Sequence, residues 1–513
     1  MNTIYDVIVV GSGNAGMSAA LAALEITERV LVIEKASFED ASGNTAYSAG
    51  SMRCTIDNTA SINQLIDGYA DPRLSVTRFP IYTRDDFLAD LTQYNNGSPP
   101  TSNQLKLVDA SYEALLWLRS KGVLFEPNYD AQATKTEDGY SFWGGSILRC
   151  VGEGLGLAES QRLAFLERGG AVRYSCSAQH LVIVDGRITG IQVKNSDESE
   201  SVLKAHSIIL ASGGFGSNKE MLSQFIGADV SNALVRGTRH NTGDGLKIAF
   251  KAGANPFGIY EGCHIVPTGI TAENGSFEGL SKKQRLRARK VCYHLGVMLN
   301  KEGRRFVNEG ADFRNNTYAQ YGRDIMLQSD SVAYQFFDAK SIPHLYDEYN
   351  LSKMDYFESE SLDDLISQIN NIDAEIALKT ISEFNASVDD TVVFDPSVKD
   401  GKGARGLTPP RTNWAQCLDT PPFRAYPVTG GITFTYGGIE INADGAVVSR
   451  DGAIIQRLFA CGEIVGGVFF NGYPSGAGLT SGTVFGRTAG YSAANSSRQA
   501  HEKMSFSPNY LVN

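Results

Sequence analysis

Three glycines near the start of the chain have the spacing of a phosphate-binding turn. Gly11, Gly13 and Gly16 follow an apolar run at residues 5–10 and open a helix-like run at 15–25. In such a unit the first glycine makes the turn, the second admits a pyrophosphate, and the third lets helix and strand pack closely. The free N–H groups of the helix start hold the phosphates. We therefore expect a dinucleotide site here.

An acidic residue follows at the distance expected for a ribose contact. The next apolar run, residues 29–33, ends at Glu34, close to the spacing of about 20 residues seen in such sites. A carboxylate at this point can accept hydrogen bonds from both ribose hydroxyls. The strand, the helix and the acid distinguish this site from an isolated glycine turn.

A second glycine-rich fingerprint lies near the other end of the chain. Gly462 and Glu463 end a strand-like run at 457–461, and a glycine-rich stretch continues from 466 to 490. A third buried run, at 207–210, ends in a further glycine-rich turn at 211–216. The two distant fingerprints together indicate a flavin dinucleotide. The long stretch between them must form another unit, placed over the cofactor.

These patterns predict an α/β fold. We expect a Rossmann-like FAD-binding domain, interrupted by an inserted α+β cap domain that has more charge and polar helices. The predicted parts are residues 1–262 for the first part of the FAD-binding domain, 263–432 for the cap and 433–513 for the second part. Helices are expected at 103–122, 154–168 and 478–495. Asp185-Gly186 and Asp444-Gly445 are expected to be hairpin turns.

Composition excludes several classes of protein. The 513 residues carry 57 acidic and 46 basic side chains, and the net charge of −11 argues against a nucleic-acid binder. Seven scattered cysteines without a CxxC pair argue against a disulfide framework, an iron–sulfur cluster or any other metal site. No apolar run approaches the ~20 residues of a membrane helix, and the fold begins at Tyr5 without a leader. We expect a location in the cytoplasm or another reducing compartment.

Six ordered motifs carry a resemblance to a known family. The motifs at residues 11–16, 43–50, 211–216, 242–245, 300–309 and 462–463 resemble the FAD-binding fumarate reductase/succinate dehydrogenase flavoprotein superfamily. The resemblance implies FAD and the interconversion of C–C and C=C bonds next to a carbonyl or carboxylate. Members with covalent FAD carry a histidine before the threonine that matches Thr45. Asn44 stands there in this chain, so noncovalent FAD is expected.

The resemblance also implies the cofactor contacts. Glu463 is expected to contact the ribityl chain, and the helix start at 480–483 to face the pyrimidine end of the flavin. The expected cofactor-binding residues are Gly11, Gly13, Ala15, Gly16, Glu34, Lys35, Asn44, Thr45, Ser48, Ala49, Gly50, Ala211, Ser212, Gly213, Asp244, Gly462, Glu463, Gly478, Leu479 and Thr480.

The catalytic residues of the superfamily match this chain only in part. Arg314 matches the proton-donating arginine of fumarate reductases, one residue later than usual, and His264 matches a substrate-binding histidine. A second family histidine, before a Met-Gly-Gly, is absent from the segment 431–438. Tyr473 stands where the family has a second substrate arginine. These changes argue against simple fumarate reduction.

Where the chain differs from fumarate reductases, it resembles two other branches of the superfamily. Segments 304–314, 317–319, 321–323 and 431–436 are similar to tricarballylate dehydrogenases, which oxidise a saturated tricarboxylate to its alkene. The loop 473–478 resembles 3-ketosteroid 1-dehydrogenases, in which a tyrosine and a backbone N–H polarise a ketone. The first prediction is desaturation of a small, tricarballylate-like polycarboxylate. The alternatives are a ketone α,β-desaturase, an enoate reductase of the fumarate reductase type, and a flavin scaffold without turnover.

Desaturation next to a carbonyl assigns a role to five side chains. Arg314 and Arg53 are candidate carboxylate clamps, because a guanidinium binds a carboxylate with two hydrogen bonds. Tyr473 and Tyr436 are candidate donors to a carbonyl, and His264 could bind substrate or take a proton near neutral pH. Each has a structural alternative: an ion pair for Arg314, support of its own loop for Arg53, and packing for the other three.

The proton acceptor and the electron acceptor stay open. An arginine with its normal pKa is not a base at pH 7, so Arg314 needs relay partners, and Glu309 and Asp312 are near in sequence. Tyr436 or Tyr473 is the alternative base. The basic run 282–290 is either a solvated cap surface, a steering patch for an anionic substrate or a docking site for an electron partner. The expected electron acceptor is oxygen, a quinone, a free flavin or a partner protein.

Overall fold

The computed structural model describes residues 3–142, 144–145, 147–270, 280–352 and 355–505, and the remaining residues of the predicted segments lie outside it. Five parallel strands form the centre of the first large sheet, called the nucleotide sheet. Their order is Ala171–Arg173, Val30–Ile33, Ile4–Val10, Glu200–Leu210 and Ile454–Ala460. The buried valine and isoleucine runs of these strands are typical of a parallel sheet covered on both faces.

The carboxyl ends of these strands meet at one edge. Ile209 pairs with Val9 on one side and with Phe459 on the other. This register aligns the ends of a strand from the start of the chain and of a strand from its last quarter. The turns that follow the strands, which contain the predicted fingerprints, are therefore brought to the same edge.

Antiparallel strands extend the nucleotide sheet on both sides. The first half of Glu200–Leu210 pairs with Arg187–Lys194, which pairs with Ser177–Val184 through the turn at Asp185 and Gly186. On the other side, Ala446–Val448 pairs with Ile454–Ala460. Ile441 and Val447 bridge around Asp444 and Gly445. Both predicted hairpin turns are confirmed.

The helices cover the sheets. The predicted helices near 103–122, 154–168 and 478–495 are confirmed, and the last of them extends to Ser505. The alanine-rich first helix packs against this last helix. The helices are Asn14–Ala23, Thr59–Leu65, Arg84–Thr92, Ser102–Ser120, Tyr129–Gln132, Glu153–Glu167, Lys219–Phe225, Asp244–Lys251, Lys282–Arg287, Arg314–Met326, Leu362–Ser367, Ala374–Ser387 and Ala477–Ser505.

A second sheet, called the cap sheet, is organised around one long strand, Phe423–Thr435. It pairs with Cys263–Gly269, Ala333–Phe337, Phe357–Ser359 and Leu234–Val235. Val297–Asn300 extends the sheet beyond Ala333–Phe337. The long strand thus carries residues from the interior of the cap towards the FAD-binding part.

The three predicted parts of the chain stay a prediction. Leu234–Val235 joins the cap sheet from before residue 263, and Phe423–Thr435 continues past residue 432. Smaller sheets complete the fold. They consist of Pro256–Phe257 with Gly438–Ile439, of Ser51–Met52, Leu148–Cys150 and Phe125–Pro127, and of Thr77–Arg78, Gly139–Phe142 and Ala133–Thr136.

Candidate active site

A cavity of about 910 Å³ is lined by the carboxyl edge of the nucleotide sheet and by residues of the cap. The volume is in the range of sites that enclose organic ligands. Its lining includes residues from the turn 11–16, the loop 43–50, the turn 211–216 and the fingerprint 462–463. One cavity therefore unites motifs from both ends of the chain.

The glycine turn leaves a helix start open to this cavity. Gly11 has a φ of +107°, and a Cβ there would lie 2.5 Å from the carbonyl oxygen of Ala211. A Cβ at Gly16 would lie 2.0 Å from the carbonyl oxygen of Gly11. No side chain caps the helix Asn14–Ala23 at Gly13. The N–H of Asn14 donates to the Thr45 hydroxyl, and the N–H groups that follow it in the first turn are available for a phosphate.

Glu34 is held in place at the end of its strand. Its Oε2 accepts hydrogen bonds from the N–H (2.9 Å) and the hydroxyl (2.6 Å) of Ser12, and its Oε1 accepts one from the N–H of Ala36 (2.8 Å). A carboxylate offers about four acceptor positions. Glu34 therefore retains room for about one ribose hydroxyl, fewer than the two expected.

An ion pair lies beside this acid. Lys35 Nζ is 2.7 Å from Asp244 Oδ2, and it also donates to the hydroxyl of Thr242 at 2.7 Å. Burial works against the charged form of Asp244, but Lys35 and Thr242 hold the pKa of Asp244 below its usual value. The pair connects the loop after the second strand to the helix Asp244–Lys251.

The loop at 43–50 connects the cofactor turn with the cap strand. The hydroxyl of Thr45 accepts a hydrogen bond from the N–H of Asn14 at 2.8 Å. Asn44 Nδ2 donates to the carbonyl of Thr433 at 2.7 Å, and its Oδ1 accepts from the N–H of Thr238 at 3.0 Å. The side chain that replaces the histidine of covalent flavoproteins is thus fixed between two segments.

Glu463 is surrounded by donors where the long cap strand reaches the cavity. It accepts hydrogen bonds from Asn241 Nδ2 at 3.0 Å, from the N–H of Thr435 at 2.9 Å and from Asn44 Nδ2 at 3.2 Å. Burial raises the pKa of Glu463. The carboxyl group is thus fixed in orientation against the cavity.

Several buried polar atoms of the cavity wall lack a partner within the protein. They are Ser212 Oγ, Asn241 Oδ1 and His240 Nε2, and all three residues line the cavity. Buried polar atoms are normally hydrogen-bonded. A dinucleotide carries hydroxyl, phosphate and ring groups that can serve as partners. Together with the open helix start, these atoms fit FAD.

Most of the predicted cofactor residues line the cavity, and contact with FAD stays a prediction for each. Three do not line it: Gly16 packs the first helix onto the turn, Gly50 packs against Glu153, and the Thr480 hydroxyl donates to the carbonyl of Arg53 at 2.8 Å. The lining residues are Gly11, Gly13, Ala15, Glu34, Lys35, Asn44, Thr45, Ser48, Ala49, Ala211, Ser212, Gly213, Asp244, Gly462, Glu463, Gly478 and Leu479.

His264 lies in an aromatic cage on the strand Cys263–Gly269. Its ring stacks on Phe434 at 4.9 Å and meets Tyr318 and Tyr473 edge-on at 5.1 and 5.0 Å. Burial, helped by the charge of Arg236, lowers the pKa of His264 to about 3. This argues against its taking a proton near neutral pH, and its unpartnered Nδ1 is available to bind a ligand.

Two tyrosines continue the aromatic wall. Tyr473 Oη accepts a hydrogen bond from the N–H of Gly478 at 3.0 Å, and its ring lies 5.1 Å from Phe469. Tyr436 lines the cavity with an unpartnered hydroxyl. Burial raises the pKa of both tyrosines above the ordinary value. Both are therefore suited to donate hydrogen bonds and poorly suited to act as the alternative base.

Arg314 begins the helix Arg314–Met326 and lines the cavity. Its Nε donates to the hydroxyl of Tyr346 at 2.6 Å, and its guanidinium also contacts the carbonyl of Ala131. The group lies over the Tyr346 ring, 4.9 Å from the centroid. Because the residue is only 6% exposed, it is not a surface ion pair of the cap.

Arg53 does not line the cavity, so the structure does not support it as a second carboxylate clamp. It is fully buried, its Nη1 is 2.5 Å from Asp90 Oδ2, and it also donates to the hydroxyl of Tyr82. Its Nε donates to the carbonyl of Ser475 at 2.8 Å, and its N–H to that of Gly476 at 3.2 Å. Arg53 thus holds the loop that follows Tyr473.

The two acids suggested as relay partners of Arg314 are engaged elsewhere. Glu309 Oε2 is 2.5 Å from Arg305 Nη2 and 3.4 Å from Arg411 Nη1, in a buried cluster. Asp312 lies 3.4 Å from Lys399 Nζ. Both acids are thus engaged by other cations. The hydroxyl of Tyr346 occupies the position beside the guanidinium.

Further polar residues that the sequence did not single out individually line the cavity, among them Arg236, Arg287, Arg289, Tyr346 and Glu348. The basic run was a signal for two of the arginines. The other three follow no recognisable motif, because each reaches the cavity only through the folding of the cap.

The basic run 282–290 is more than a solvated surface. Arg287 Nη2 is 3.0 Å from Glu153 Oε1, and Arg289 Nη2 is 2.6 Å from Glu348 Oε1. Burial works against the charged form of Glu348, but Arg289 holds its pKa below the usual value. The second half of the run therefore faces the cavity, and the solvated-surface interpretation is wrong for that half.

Two findings concern the described part of the chain as a whole. None of its helices is both long enough and apolar enough to span a membrane. Within the same residues, no group of three histidine, cysteine or acidic side chains is arranged to hold a metal ion.

Comparison with known proteins gives consistent results. The profile of a family described as "FAD binding domain" matches residues 6–480. NADH:acrylate oxidoreductase of Vibrio harveyi is 26% identical over 95% of this chain, which spans only half of that protein. Probable fumarate reductase Ifc3 of Shewanella frigidimarina is 27% identical over 95% of this chain and 74% of its own length.

A solved structure shares the architecture. The open conformation of a flavocytochrome c3 fumarate reductase aligns with a TM-score of 0.68 at 25% identity. The alignment covers 96% of this chain and 78% of that one. The interrupted α/β fold is therefore confirmed.

Proposed function

The chain belongs to the FAD binding domain family, and on that premise we propose that it is an FAD-dependent oxidoreductase acting on a small polycarboxylate. It converts a C–C bond next to a carboxylate into a C=C bond. FAD is its cofactor, and its relatives place it with the fumarate reductase/succinate dehydrogenase flavoproteins. A tricarballylate-like substrate is the finer part of the proposal.

One observation carries the proposal: five arginines line the cavity that also contains the flavin fingerprints. They are Arg149, Arg236, Arg287, Arg289 and Arg314. The chain as a whole has a net charge of −11, so these arginines supply cations within an acidic protein, although Glu153 and Glu348 pair with two of them. Guanidinium groups bind carboxylates with paired hydrogen bonds. The positive charge expected from Arg53 is thus supplied by other residues.

The reaction removes a proton from one carbon and a hydrogen with its electron pair from the neighbouring carbon. FAD, when bound, supplies the acceptor for the electron pair. The arginines hold the carboxylates and stabilise the negative charge that develops when the first proton leaves. His264, neutral at physiological pH, orients substrate by a hydrogen bond. The aromatic wall around it excludes water.

Arg314 is the residue proposed to move the proton. The contact between its Nε and Tyr346 Oη, 2.6 Å, gives the guanidinium a partner that can both accept and donate a proton. Tyr346 Oη lies in turn 3.4 Å from the carbonyl of Ala131. The tyrosine thus occupies the position beside Arg314 that Glu309 and Asp312 were expected to fill. Because burial raises the pKa of Tyr346, it orients the guanidinium as a hydrogen-bond acceptor and is not the final proton acceptor.

A ketone α,β-desaturase is the second candidate. It is favoured by the aromatic wall of His264, Phe434, Phe469 and Tyr473. The Tyr473 hydroxyl, which accepts from the N–H of Gly478, remains able to donate its proton to a carbonyl. The arginines have no evident use in binding a neutral ketone, so this candidate ranks second.

FAD is proposed to be noncovalent. Asn44 has no nucleophilic atom for a bond to the flavin, and both ends of its carboxamide are hydrogen-bonded within the protein. Precipitation of the holoenzyme with acid should release all of the flavin into the supernatant. Yellow colour retained in the washed pellet would contradict this.

The function is tested by following flavin absorbance without oxygen. Tricarballylate, succinate and a cyclic ketone are added separately to the oxidised holoenzyme. Bleaching by a polycarboxylate and not by the ketone is expected. Bleaching by the ketone alone would favour the second candidate. No bleaching, with rapid reoxidation of the reduced enzyme by fumarate or aconitate, would reverse the direction and make the protein a reductase.

A further inference from the structure

Arg236 enters the cavity from a strand end that fixes its backbone. It follows Leu234–Val235, which pairs in parallel with Phe423–Thr435, and its N–H donates to the carbonyl of Ile432 at 2.9 Å. A Cβ at Gly431 would lie 2.5 Å from Arg236 Cδ and 2.7 Å from Cγ. The glycine thus leaves the space through which the aliphatic part of the arginine runs.

The guanidinium of Arg236 is buried without a countercharge. The residue is 6% exposed, and among the described residues no carboxylate oxygen lies within 4.0 Å of its guanidinium nitrogens. Its Nη1 donates to the Thr433 hydroxyl at 3.2 Å, its Nη2 is 3.5 Å from the carbonyl of Leu286, and its Nε has no partner. A charge in this state is costly unless a ligand pairs with it.

Three other arginines of the described chain each have a carboxylate partner. Arg53 has Asp90 at 2.5 Å, Arg289 has Glu348 at 2.6 Å, and Arg305 has Glu309 at 2.5 Å. Burial, with the charge of Arg289 nearby, lowers the pKa of Arg236 to about 10, so the group remains a cation at neutral pH. The cavity therefore contains a fixed, buried cation that no carboxylate of the described residues contacts directly, although the charge of Glu348, itself paired with Arg289, acts on it from farther away.

We propose that Arg236 is the specificity-determining anchor for one carboxylate of the substrate, while Arg314 serves a second acidic group near the reacting carbons. The inference rests on the proposed function, because it assigns the polycarboxylate of that same site. Arg236 would then supply the positive charge of the family's second substrate arginine, whose position is occupied by Tyr473 in this chain. A monocarboxylate can use only one of the two cations, so the pair selects for polyacids.

The test compares Arg236→Met with Arg239→Met in the FAD-loaded protein. Arg239 has a side chain that is 73% exposed and paired with Asp40 at 2.6 Å, so its replacement removes the same charge outside the cavity. In stopped flow without oxygen, the dependence of the rate of flavin bleaching on tricarballylate concentration gives its Kd, and butyrate is measured as a competitor of that bleaching. R236M should weaken tricarballylate binding by about thirtyfold or more and butyrate binding much less. R239M should change neither by more than about twofold.

Thermal unfolding of the ligand-free holoenzyme separates an anchor from a structural role. Since Arg236 is unpaired, its replacement by an apolar side chain of similar length should leave Tm unchanged or raise it. A clear fall in Tm, or tricarballylate affinity within about twofold of the unsubstituted protein, would overturn the inference. If the unsubstituted protein binds no polycarboxylate at all, the proposed function fails instead.

Discussion

The two ends of the cavity are built on opposite electrostatic plans. At the cofactor end, two acids, Glu34 and Glu463, are surrounded by N–H and hydroxyl donors of the protein. At the substrate end, arginines predominate and Arg236 lacks a countercharge. At the cofactor end, the carboxylates are oriented to accept hydrogen bonds from a ligand. At the substrate end, the guanidinium groups are suited to bind a negatively charged ligand. The comparison indicates that one end holds the cofactor permanently through hydrogen bonds. The other end binds and releases an anionic substrate.

The largest effect is expected from the cofactor end. In Gly16→Ala the new Cβ would lie 2.0 Å from the carbonyl oxygen of Gly11, so helix and strand must separate. Soluble holoenzyme should be almost absent, measured as the ratio of flavin to protein absorbance. Gly13→Ala is the matched control, since its Cβ would meet nothing nearer than 3.6 Å. It should fold and bind FAD weakly. Normal flavin content in G16A would contradict the packing account.

At the substrate end, Arg314→Ala should lower kcat by about 10³-fold, within the range of a general acid–base group. Flavin content should stay unchanged, because Arg314 belongs to the substrate end. Arg314→Lys should restore charge but little activity, since an ammonium lacks the fork geometry. Stopped-flow flavin reduction measures both variants. Full activity of R314A would remove this residue from the mechanism.

Arg53 should behave as a supporting residue. Arg53→Ala leaves Asp90 without its cation and the Ser475 carbonyl without the hydrogen bond from Nε, whereas the backbone bond to Gly476 is kept. A loss of about 2–3 kcal/mol in the free energy of unfolding is expected, towards the low end for a buried pair because Asp90 is a quarter exposed. Denaturant titration gives this value. A large loss of tricarballylate affinity with unchanged stability would contradict this and support Arg53 as a residue that binds a substrate carboxylate.

The smallest effect concerns pH. The folded-state pKa of His264 is about 3, below the ~6.5 of an unfolded chain. The unfolded state therefore binds more protons between these values, and stability is full above pH 6.5 and falls as pH is lowered. Between pH 7 and pH 5 the free energy of unfolding should fall by about 2 kcal/mol less in His264→Asn than in the unsubstituted protein. Denaturant titrations at both pH values provide the check, and an unchanged difference would show that His264 titrates normally.

The cofactor end was predictable because its residues follow strand ends within short motifs. Gly11, Glu34 and Glu463 each end a parallel strand, and the register of the sheet alone brings them together. The number of hydrogen bonds already accepted by Glu34 was not predictable, since it depends on Ser12 and Ala36. The spacing of residues within the motifs therefore predicts the fold of this end, but it does not predict which carboxylate oxygens are already hydrogen-bonded within the protein.

The substrate end was predictable only in part. Arg314 and His264 reached the cavity, and both were found through a resemblance. Arg53 did not, because Asp90 and the loop carbonyl of Ser475 capture its guanidinium. Arg236 was missed because its cavity position depends on a two-residue strand and on the space over Gly431. Such long-range packing leaves no periodic signal in the sequence.

A crystal structure of the FAD-loaded protein with bound tricarballylate tests the central claim most directly. The account predicts carboxylate oxygens about 3 Å from the guanidinium nitrogens of both Arg236 and Arg314, with the C–C bond between them against the flavin. A ligand whose carboxylates contact neither arginine, or only the outer Arg287, would contradict it.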